Sequence, residues 1–240
     1  MDLKEEDILQ DKIADHWYYV SKGRALLDFL GKDIRVKEVL DVGAGSGVFS
    51  RQLLDAGVCS SAVCVDPFYK EERLQTHNGR PIHFVKSVES VPQNLILMMD
   101  VLEHVDDDVG LLRQFGNPMP ESGRILITVP AFQFMWSAHD VFLEHRRRYT
   151  IKMLERTVYK AGLEPVKMRY FFGALFPLTA AQRLAKRVLF ERGRIKARSE
   201  LKLFPRWLNQ SLIGIHDIER HTLFKINKLA GLSLFCLCKK

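Results

Sequence analysis

The chain has 240 residues, of which 47% are hydrophobic and 27% charged, a composition that is ordinary for a soluble globular protein. No apolar run approaches the roughly 20 residues that a membrane-spanning helix needs, and the acidic N-terminus lacks the apolar core of a secretory signal. Lys and Arg outnumber Asp and Glu by 36 to 29, and the resulting net charge of +7 favours an anionic partner.

The predicted elements run from an N-terminal helix through alternating strands and helices to a final strand. Seven short apolar runs are interpreted as strands, near 37–42, 62–66, 82–86, 94–99, 124–129, 165–171 and 232–238. Short apolar strands separated by helical stretches are typical of a parallel sheet that is covered on both faces. The sequence therefore predicts an α/β fold.

The first strand ends in Asp41, and glycines follow at alternate positions: Gly43, Gly45 and Gly47. Glycines at these positions let the backbone turn sharply and approach a ligand closely. The next residues have helical spacing, so backbone N–H groups and the positive end of a helix dipole face that ligand. A dinucleotide-binding loop would have its third glycine at position 48, which is Val48.

Two later strands also end in carboxylates. Asp66 ends the second strand, where it can accept hydrogen bonds from both hydroxyls of a ribose. Asp100 ends the fourth strand and begins the motif Asp-Val-Leu-Glu-His, which ends at His104. Together with the glycine loop and the fifth strand behind its Gly123 turn, these motifs resemble those of the class I S-adenosylmethionine (SAM) methyltransferases.

The resemblance covers about residues 14–165 and resumes at the last strand. It implies a Rossmann-like, seven-stranded, mostly parallel sheet with an antiparallel last strand and a helical cap inserted between strands six and seven. SAM is then the methyl donor. The residues expected to bind it are Asp41, Gly43, Gly45, Gly47, Asp66, Pro67, Ser87, Val88, Asp100 and Val101. Ser87 stands where the family more often has an acid, so Glu89 or the backbone is expected to contact the adenine amino group.

The loop after the fifth strand is expected to face the transferable methyl group, because ligands bind at the carboxyl ends of such strands. An alcohol or phenol acceptor must lose a proton, and His139 and His145 are candidates to take it. Asp140 can orient a histidine or act as the base itself. The predicted catalytic residues are therefore His139, Asp140 and His145.

The predicted acceptor-binding residues are Trp17, Trp136, Arg147, Arg148 and Tyr149. The two arginines can clamp a carboxylate or phosphate, or they can form ion pairs with Glu144 that only close the loop. Trp17 belongs to a helix that packs over the SAM pocket in the family, or its ring only attaches that helix to the sheet. His139, Asp140, Glu144 and His145 lack the spacing of a metal site, so no metal is expected.

One domain is expected over residues 1–240. It divides into a helical cap (1–32), a Rossmann-like core (33–172), a basic helical insertion or lid (173–230) and the last strand (231–240). The insertion opens with aromatic residues and continues into a run that is rich in Lys and Arg, from Arg183 to Arg206. We expect one of two roles for segment 171–206. It lies on an anionic membrane surface, or it closes the site without touching lipid.

The cysteines are Cys59, Cys64, Cys236 and Cys238, and they form no C-x-x-C motif. We expect buried free thiols, no zinc and no disulfide, and hence a cytoplasmic protein that is peripheral to the inner face of the membrane if lipid is its partner. The predicted function is O-methylation of a small, amphiphilic, or lipid- or glycan-linked acceptor. Protein or RNA methylation is the alternative, with nucleic acid less favoured, and a SAM-binding regulatory or scaffold protein is the non-enzyme alternative.

Overall fold

The computed structural model describes residues 9–191, 199 and 202–240, which fold around one mixed β-sheet. Its strands are β1 (Val36–Val42), β2 (Cys59–Val65), β3 (Arg73–His77), β4 (Arg80–Val85), β5 (Leu95–Met99), β6 (Arg124–Pro130), β7 (Glu164–Phe171) and β8 (Ser233–Lys239). The helices are α1 (Trp17–Leu30), α2 (Val48–Asp55), α3 (Asp108–Gly116), α4 (Ala138–Phe142), α5 (Ile151–Lys160), α6 (Phe176–Glu191) and α7 (Arg206–His221). Short 3-10 helices cover Gln10–Asp15, Leu102–His104, Gln133–Met135 and Leu223–Lys225.

The strand order is β3-β4-β2-β1-β5-β6-β8-β7, and the neighbours from β4 to β6 are parallel. β8 is antiparallel to both β6 and β7, which confirms the expected Rossmann-like class with an antiparallel last strand. The chain runs outward from β1 through β2 and then returns to place β5 on the other side of β1. The switch point of the sheet, where such folds bind ligands, therefore lies between the carboxyl ends of β1 and β5.

The sheet has eight strands rather than the seven predicted, because β3 pairs antiparallel with β4 at one edge. The two-residue turn between them is formed by Asn78 and Gly79, with φ of 50° and 77°. An Asn-Gly turn with two positive φ angles matches the right-handed twist of a hairpin. No apolar run predicts β3, because every residue of this strand is exposed or half-buried.

Alternate side chains of the central strands enter two separate cores, one on each face of the sheet. One core joins Val39, Leu97 and Leu126 to α1 and α2. The other joins Leu40, Ile96 and Ile125 to α3 and α5. The pattern agrees with a parallel sheet covered on both faces, and all four cysteines are buried.

The expected helical cap between the last two strands consists of α6 and α7. α7 packs on α1 and is joined to it by ion pairs of Arg220 with Asp28 and of Arg24 with Asp217. Of the basic run, Arg192, Arg194, Lys196 and Arg198 lie outside the described residues, as does the side chain of Arg187. Within the described part of the chain, no helix is both long and apolar enough to cross a membrane.

Candidate active site

The loop from β1 to α2 turns sharply at its three glycines. Gly43, Gly45 and Gly47 have φ of 67°, 52° and 73°, in the left-handed region that L side chains rarely adopt. A Cβ at Gly47 would also lie 3.1 Å from the ring of Phe84 and 3.3 Å from the Sγ of Cys64. These glycines bring the start of α2, with its unpaired backbone N–H groups, to the carboxyl end of β1.

Two buried polar atoms beside this loop have no hydrogen-bond partner among the residues that the structure describes. Asp41 accepts a hydrogen bond from the Ser50 hydroxyl through Oδ2 at 2.8 Å, but its Oδ1 accepts none, and neither does the Ser46 hydroxyl pair with anything. Burial raises the pKa of Asp41 to about 6. Buried polar atoms without partners are costly, so this end of the loop fits a polar ligand with hydrogen-bond donors, as SAM is.

Asp66 lies at the end of β2 with its carboxylate turned toward the glycine loop. Its Oδ2 accepts a hydrogen bond from the Gly45 N–H at 3.3 Å, and its Oδ1 accepts one from the Phe68 N–H at 3.0 Å. The Tyr69 hydroxyl donates to the Gly45 carbonyl at 2.6 Å and fixes the loop from the other side. The Phe68 ring beside this carboxylate is 80% exposed, and the sequence analysis did not select it.

Asp100 lies at the end of β5, and its carboxylate accepts hydrogen bonds from three side chains. Its Oδ1 accepts a hydrogen bond from Thr128, and its Oδ2 accepts one from Tyr18, each at 3.1 Å, and a third from the ammonium of Lys22. Lys22 is completely buried. Burial opposes ionisation of Asp100, but the Lys22 charge outweighs it, so the pKa of Asp100 lies below its usual range. α1 therefore reaches the switch point through two residues that the sequence analysis did not predict.

The loop after β6 folds around the buried carboxylate of Asp140. Its Oδ2 accepts the Ser137 N–H at 2.8 Å and closes a capping box at the start of α4. Arg148 binds both oxygens, at 2.7 and 3.1 Å, and the His145 Nδ1 lies 2.9 Å from Oδ1. Burial works against the charge, but the hydrogen bonds from His145 and Arg148 hold the pKa of Asp140 well below its usual range.

Hydrogen bonds join this loop to segment 102–108, which follows β5, and we call this set of contacts the clasp. The Arg146 N–H donates to the Glu103 carbonyl at 2.6 Å, and the Tyr149 hydroxyl donates to Asp108 at 2.8 Å. Arg147 donates to the Val105 carbonyl at 2.9 Å and to the Asp106 carbonyl at 2.8 Å. These contacts bring the rings of His145 and His104 to 4.7 Å between centroids.

A family model described as a methyltransferase domain matches residues 14–168, well over half of the chain. The chain is a class I SAM-dependent methyltransferase. Its strand order, glycine loop and carboxylates at the ends of β2 and β5 agree with this assignment. No curated protein matches the sequence.

Solved structures of low sequence identity share the fold of this methyltransferase. Haemonchus contortus phosphoethanolamine N-methyltransferase 2, in complex with SAM, has a TM-score of 0.56 at 13% identity, over 100% of this chain and 60% of that one. The complex between the Haloferax volcanii Trm112 methyltransferase activator and a methyltransferase has a TM-score of 0.54 at 12% identity, over 95% of this chain and 91% of that one. Mitomycin 7-O-methyltransferase has a TM-score of 0.52 at 12% identity, over 93% of this chain and 53% of that one.

The predicted SAM-binding residues of the methyltransferase gather at the carboxyl ends of four parallel strands. Asp41 lies at the end of β1 and the glycines follow it, Asp66 and Pro67 follow β2, and Asp100 and Val101 follow β5. Ser87 and Val88 follow β4, the first exposed and the second half-buried. Their contacts with SAM remain predictions.

The predicted catalytic and acceptor-binding residues are brought together only in part. Asp140, His145 and Arg148 form one buried cluster, and His139 lies half-buried in the first turn of α4. Both arginines form ion pairs within the clasp, Arg147 with Asp108 at 3.3 Å and Arg148 with Asp140. The Tyr149 side chain is buried and serves the same clasp, so these three residues hold the loop, and their contact with an acceptor stays a prediction.

The two predicted tryptophans lie in different parts of the chain: Trp17 belongs to α1, whereas Trp136 belongs to the same loop as Asp140. Trp17 stacks on His216 of α7, with ring centroids 5.5 Å apart, and meets Phe172 edge-on at 5.7 Å. Its indole N–H is buried and has no hydrogen-bond partner among the described residues. Trp136 is half-buried just before α4. Trp17 thus packs α1 against α7 and against Phe172, and its contact with an acceptor stays a prediction.

Proposed function

We propose that this methyltransferase, as one domain over residues 1–240, methylates a hydroxyl oxygen of a small or amphiphilic acceptor. One observation carries the proposal: the loop after β6 holds His145 beside His104, which belongs to the 3-10 helix that closely follows Asp100 in the chain. This supports an acceptor site near the carboxyl end of β5, on one side of the switch point. A bound acceptor oxygen there lies within reach of a methyl group presented from the glycine loop, and alignment of this kind supplies much of the catalysis.

On the donor side, we assign the ribose hydroxyls to Asp66 and the close backbone approach to Gly43, Gly45 and Gly47. The exposed ring of Phe68 offers a stacking surface for adenine beside the predicted contacts of Pro67, Ser87 and Val88. Asp41, Asp100 and Val101 take the amino-acid end. SAM supplies a methyl group on a positively charged sulfur, and an acidic, partly dry site favours such a group.

On the acceptor side, we assign direct contact with the acceptor to His145, while Asp140 holds its imidazole in place. Both oxygens of Asp140 already accept hydrogen bonds from the protein, which supports a positioning role. His139 and Trp136 line the same loop, and Trp17 lies at the α1 side of the entrance. Arg147, Arg148 and Tyr149 keep the loop closed over the acceptor.

We propose an amphiphilic or lipid-linked acceptor because the cap carries exposed apolar side chains beside basic ones. Leu178 of α6 and Trp207 and Ile218 of α7 are each about 70% exposed. Arg206 and Lys202 adjoin Trp207 and are exposed too. Exposed apolar and basic groups together favour the surface of an anionic membrane, at its cytoplasmic face. Flotation with anionic liposomes tests this, and equal flotation of wild type and Trp207→Asp would contradict it.

Calorimetry with SAM and with NAD tests the donor, and binding of NAD without SAM would overturn the proposal. Transfer from labelled SAM to a panel of hydroxylated lipids and phenols tests the acceptor. His145→Ala should abolish transfer and leave the affinity for SAM within about twofold, because His145 lies on the acceptor side. His77→Ala, at the far edge of the sheet, is the matched control. Unchanged turnover of His145→Ala would remove His145 from the mechanism.

A further inference from the structure

Three side chains that can bind a metal ion meet at the clasp. Glu103 and His104 belong to the 3-10 helix after β5, and His145 belongs to the loop after β6. One potential ligand atom of each lies within 4.8 Å of the other two. The two imidazole rings are nearly perpendicular, at 85°. Residues about forty positions apart in the chain thus converge on one small volume.

The Glu103 carboxyl group forms no salt bridge with any described residue. It is completely buried, and neither of its oxygens accepts a hydrogen bond from the part of the chain that the structure describes. The buried ammonium of Lys22 is already paired with Asp100. A buried carboxylate in this position is stabilised by a cation that binds it directly.

Both imidazoles are oriented as metal ligands are. The His145 Nδ1 donates to Asp140, which leaves the lone pair of Nε2 for a ligand bond. The His104 ring is nearly perpendicular to that of His145 and has the backbone carbonyl of Leu143 beside it. Metal-bound histidines almost always donate their other ring N–H to a carboxylate or a backbone carbonyl.

We propose that Glu103, His104 and His145 bind one divalent transition-metal ion, with the acceptor oxygen as a further ligand; the part concerning the acceptor rests on the proposed function. Two imidazoles and one carboxylate suit Zn²⁺ and other divalent first-row transition-metal ions, whereas Mg²⁺ prefers oxygen ligands. Ligands about 2.1 Å from a tetrahedral ion are about 3.4 Å apart, and the ligand atoms of this cluster lie within 4.8 Å of one another. This differs from the expectation of no metal, which considered His139, Asp140, Glu144 and His145.

Such an ion would favour loss of the proton from the acceptor hydroxyl, so that the oxygen is negatively charged before methyl transfer. A hydroxyl bound to a divalent ion has a lowered pKa and releases its proton to water. The oxygen then attacks the methyl carbon of SAM, so that the O–C bond forms while the C–S bond breaks. The electron pair of that bond returns to sulfur, which becomes a neutral thioether. No oxidant or reductant is required.

Titration of the full chain with Zn²⁺ after chelator treatment tests the site, with calorimetry and thermal unfolding as readouts. We expect one saturable site per chain and a higher Tm in its presence. Glu103→Gln and His145→Ala should each weaken Zn²⁺ binding by at least about tenfold. Glu103→Gln keeps the size of the side chain and breaks no hydrogen bond or salt bridge of the described residues, so it should fold with an unreduced Tm when metal-free. His77→Ala, another histidine beside a carboxylate, should bind like wild type.

The same samples are titrated with SAM, so that the two proposals fail separately. Absence of a saturable Zn²⁺ site, or equal Zn²⁺ affinity in wild type and Glu103→Gln, overturns the metal site even if SAM binds. Zn²⁺ binding that the ligand variants lose supports the metal site even if SAM does not bind, and in that case the proposed function fails. Saturable binding of Mg²⁺ alone also overturns the proposal.

Discussion

Replacing Gly47 by alanine should damage both the stability of the protein and its affinity for SAM. An L residue in the left-handed region costs about 1–2 kcal/mol, and Gly47 has φ of 73°. The added Cβ would lie 3.1 Å from the Phe84 ring and 3.3 Å from the Cys64 Sγ, and both side chains are fully buried, so that any shift must displace other core atoms. Overpacking of this kind adds about 1–3 kcal/mol. We therefore expect a total loss of about 2–5 kcal/mol in the free energy of unfolding.

Gly162→Ala is the matched control. Gly162 has φ of 83°, and a Cβ there would meet nothing within 4 Å, so only the backbone cost of about 1–2 kcal/mol applies. Urea unfolding measures both variants, and calorimetry measures SAM binding. The affinity for SAM should fall at least about tenfold in Gly47→Ala and stay unchanged in Gly162→Ala, because only the first distorts the glycine loop. Equal destabilisation by the two substitutions, with SAM affinity intact, would refute the close-approach argument.

Three further substitutions test other parts of the site. Asp41 has a pKa of about 6 in the folded protein against 3.8 unfolded, so the free energy of unfolding should fall by about 2 kcal/mol as pH rises from 4 to 7. In Asp41→Asn this fall should disappear, as measured by urea unfolding at each pH. Lys22→Met should lower the free energy of unfolding, measured by thermal unfolding, by about 2–4 kcal/mol, because it removes the ammonium that pairs with Asp100. Adding Asp100→Asn should recover part of this loss. If the effects of the two substitutions were fully additive, that would contradict the ion pair. Arg148→Lys removes the two-pronged contact with Asp140, so turnover should fall at least about tenfold while SAM affinity changes by less than twofold; an equal loss of both would show that the two halves of the site are not separable.

The donor side of the site could be predicted from sequence because its residues follow strands directly. A glycine loop after an apolar strand, and carboxylates after two later strands, must lie at one edge of a parallel sheet. The positions of Asp41, Asp66 and Asp100 at strand ends therefore required only the strands to be recognised. An apolar run cannot predict β3, because this edge strand has no buried residue. The Asn78-Gly79 pair that forms its turn is the sequence signal that indicates a hairpin here.

The contacts made by α1 and by the clasp could not be read from local patterns. A lysine within a helix is most often solvated, and nothing near Lys22 in the chain indicates that it pairs with Asp100, some eighty positions later. Likewise, Arg148 looks equally suited to an acceptor phosphate and to an internal carboxylate. Only the path of the loop decides that it binds Asp140. Side-chain partners of this kind depend on packing between distant segments, which spacing along the chain does not encode.

The insertion of β8 between β6 and β7 has a consequence for how the protein is made. Until β8 has been synthesised, the edges of β6 and β7 that face it carry unpaired backbone groups. The sheet can therefore be completed only after the last of its strands in chain order has been made. We expect incomplete chains that lack β8 to aggregate or to bind chaperones, because they expose these strand edges.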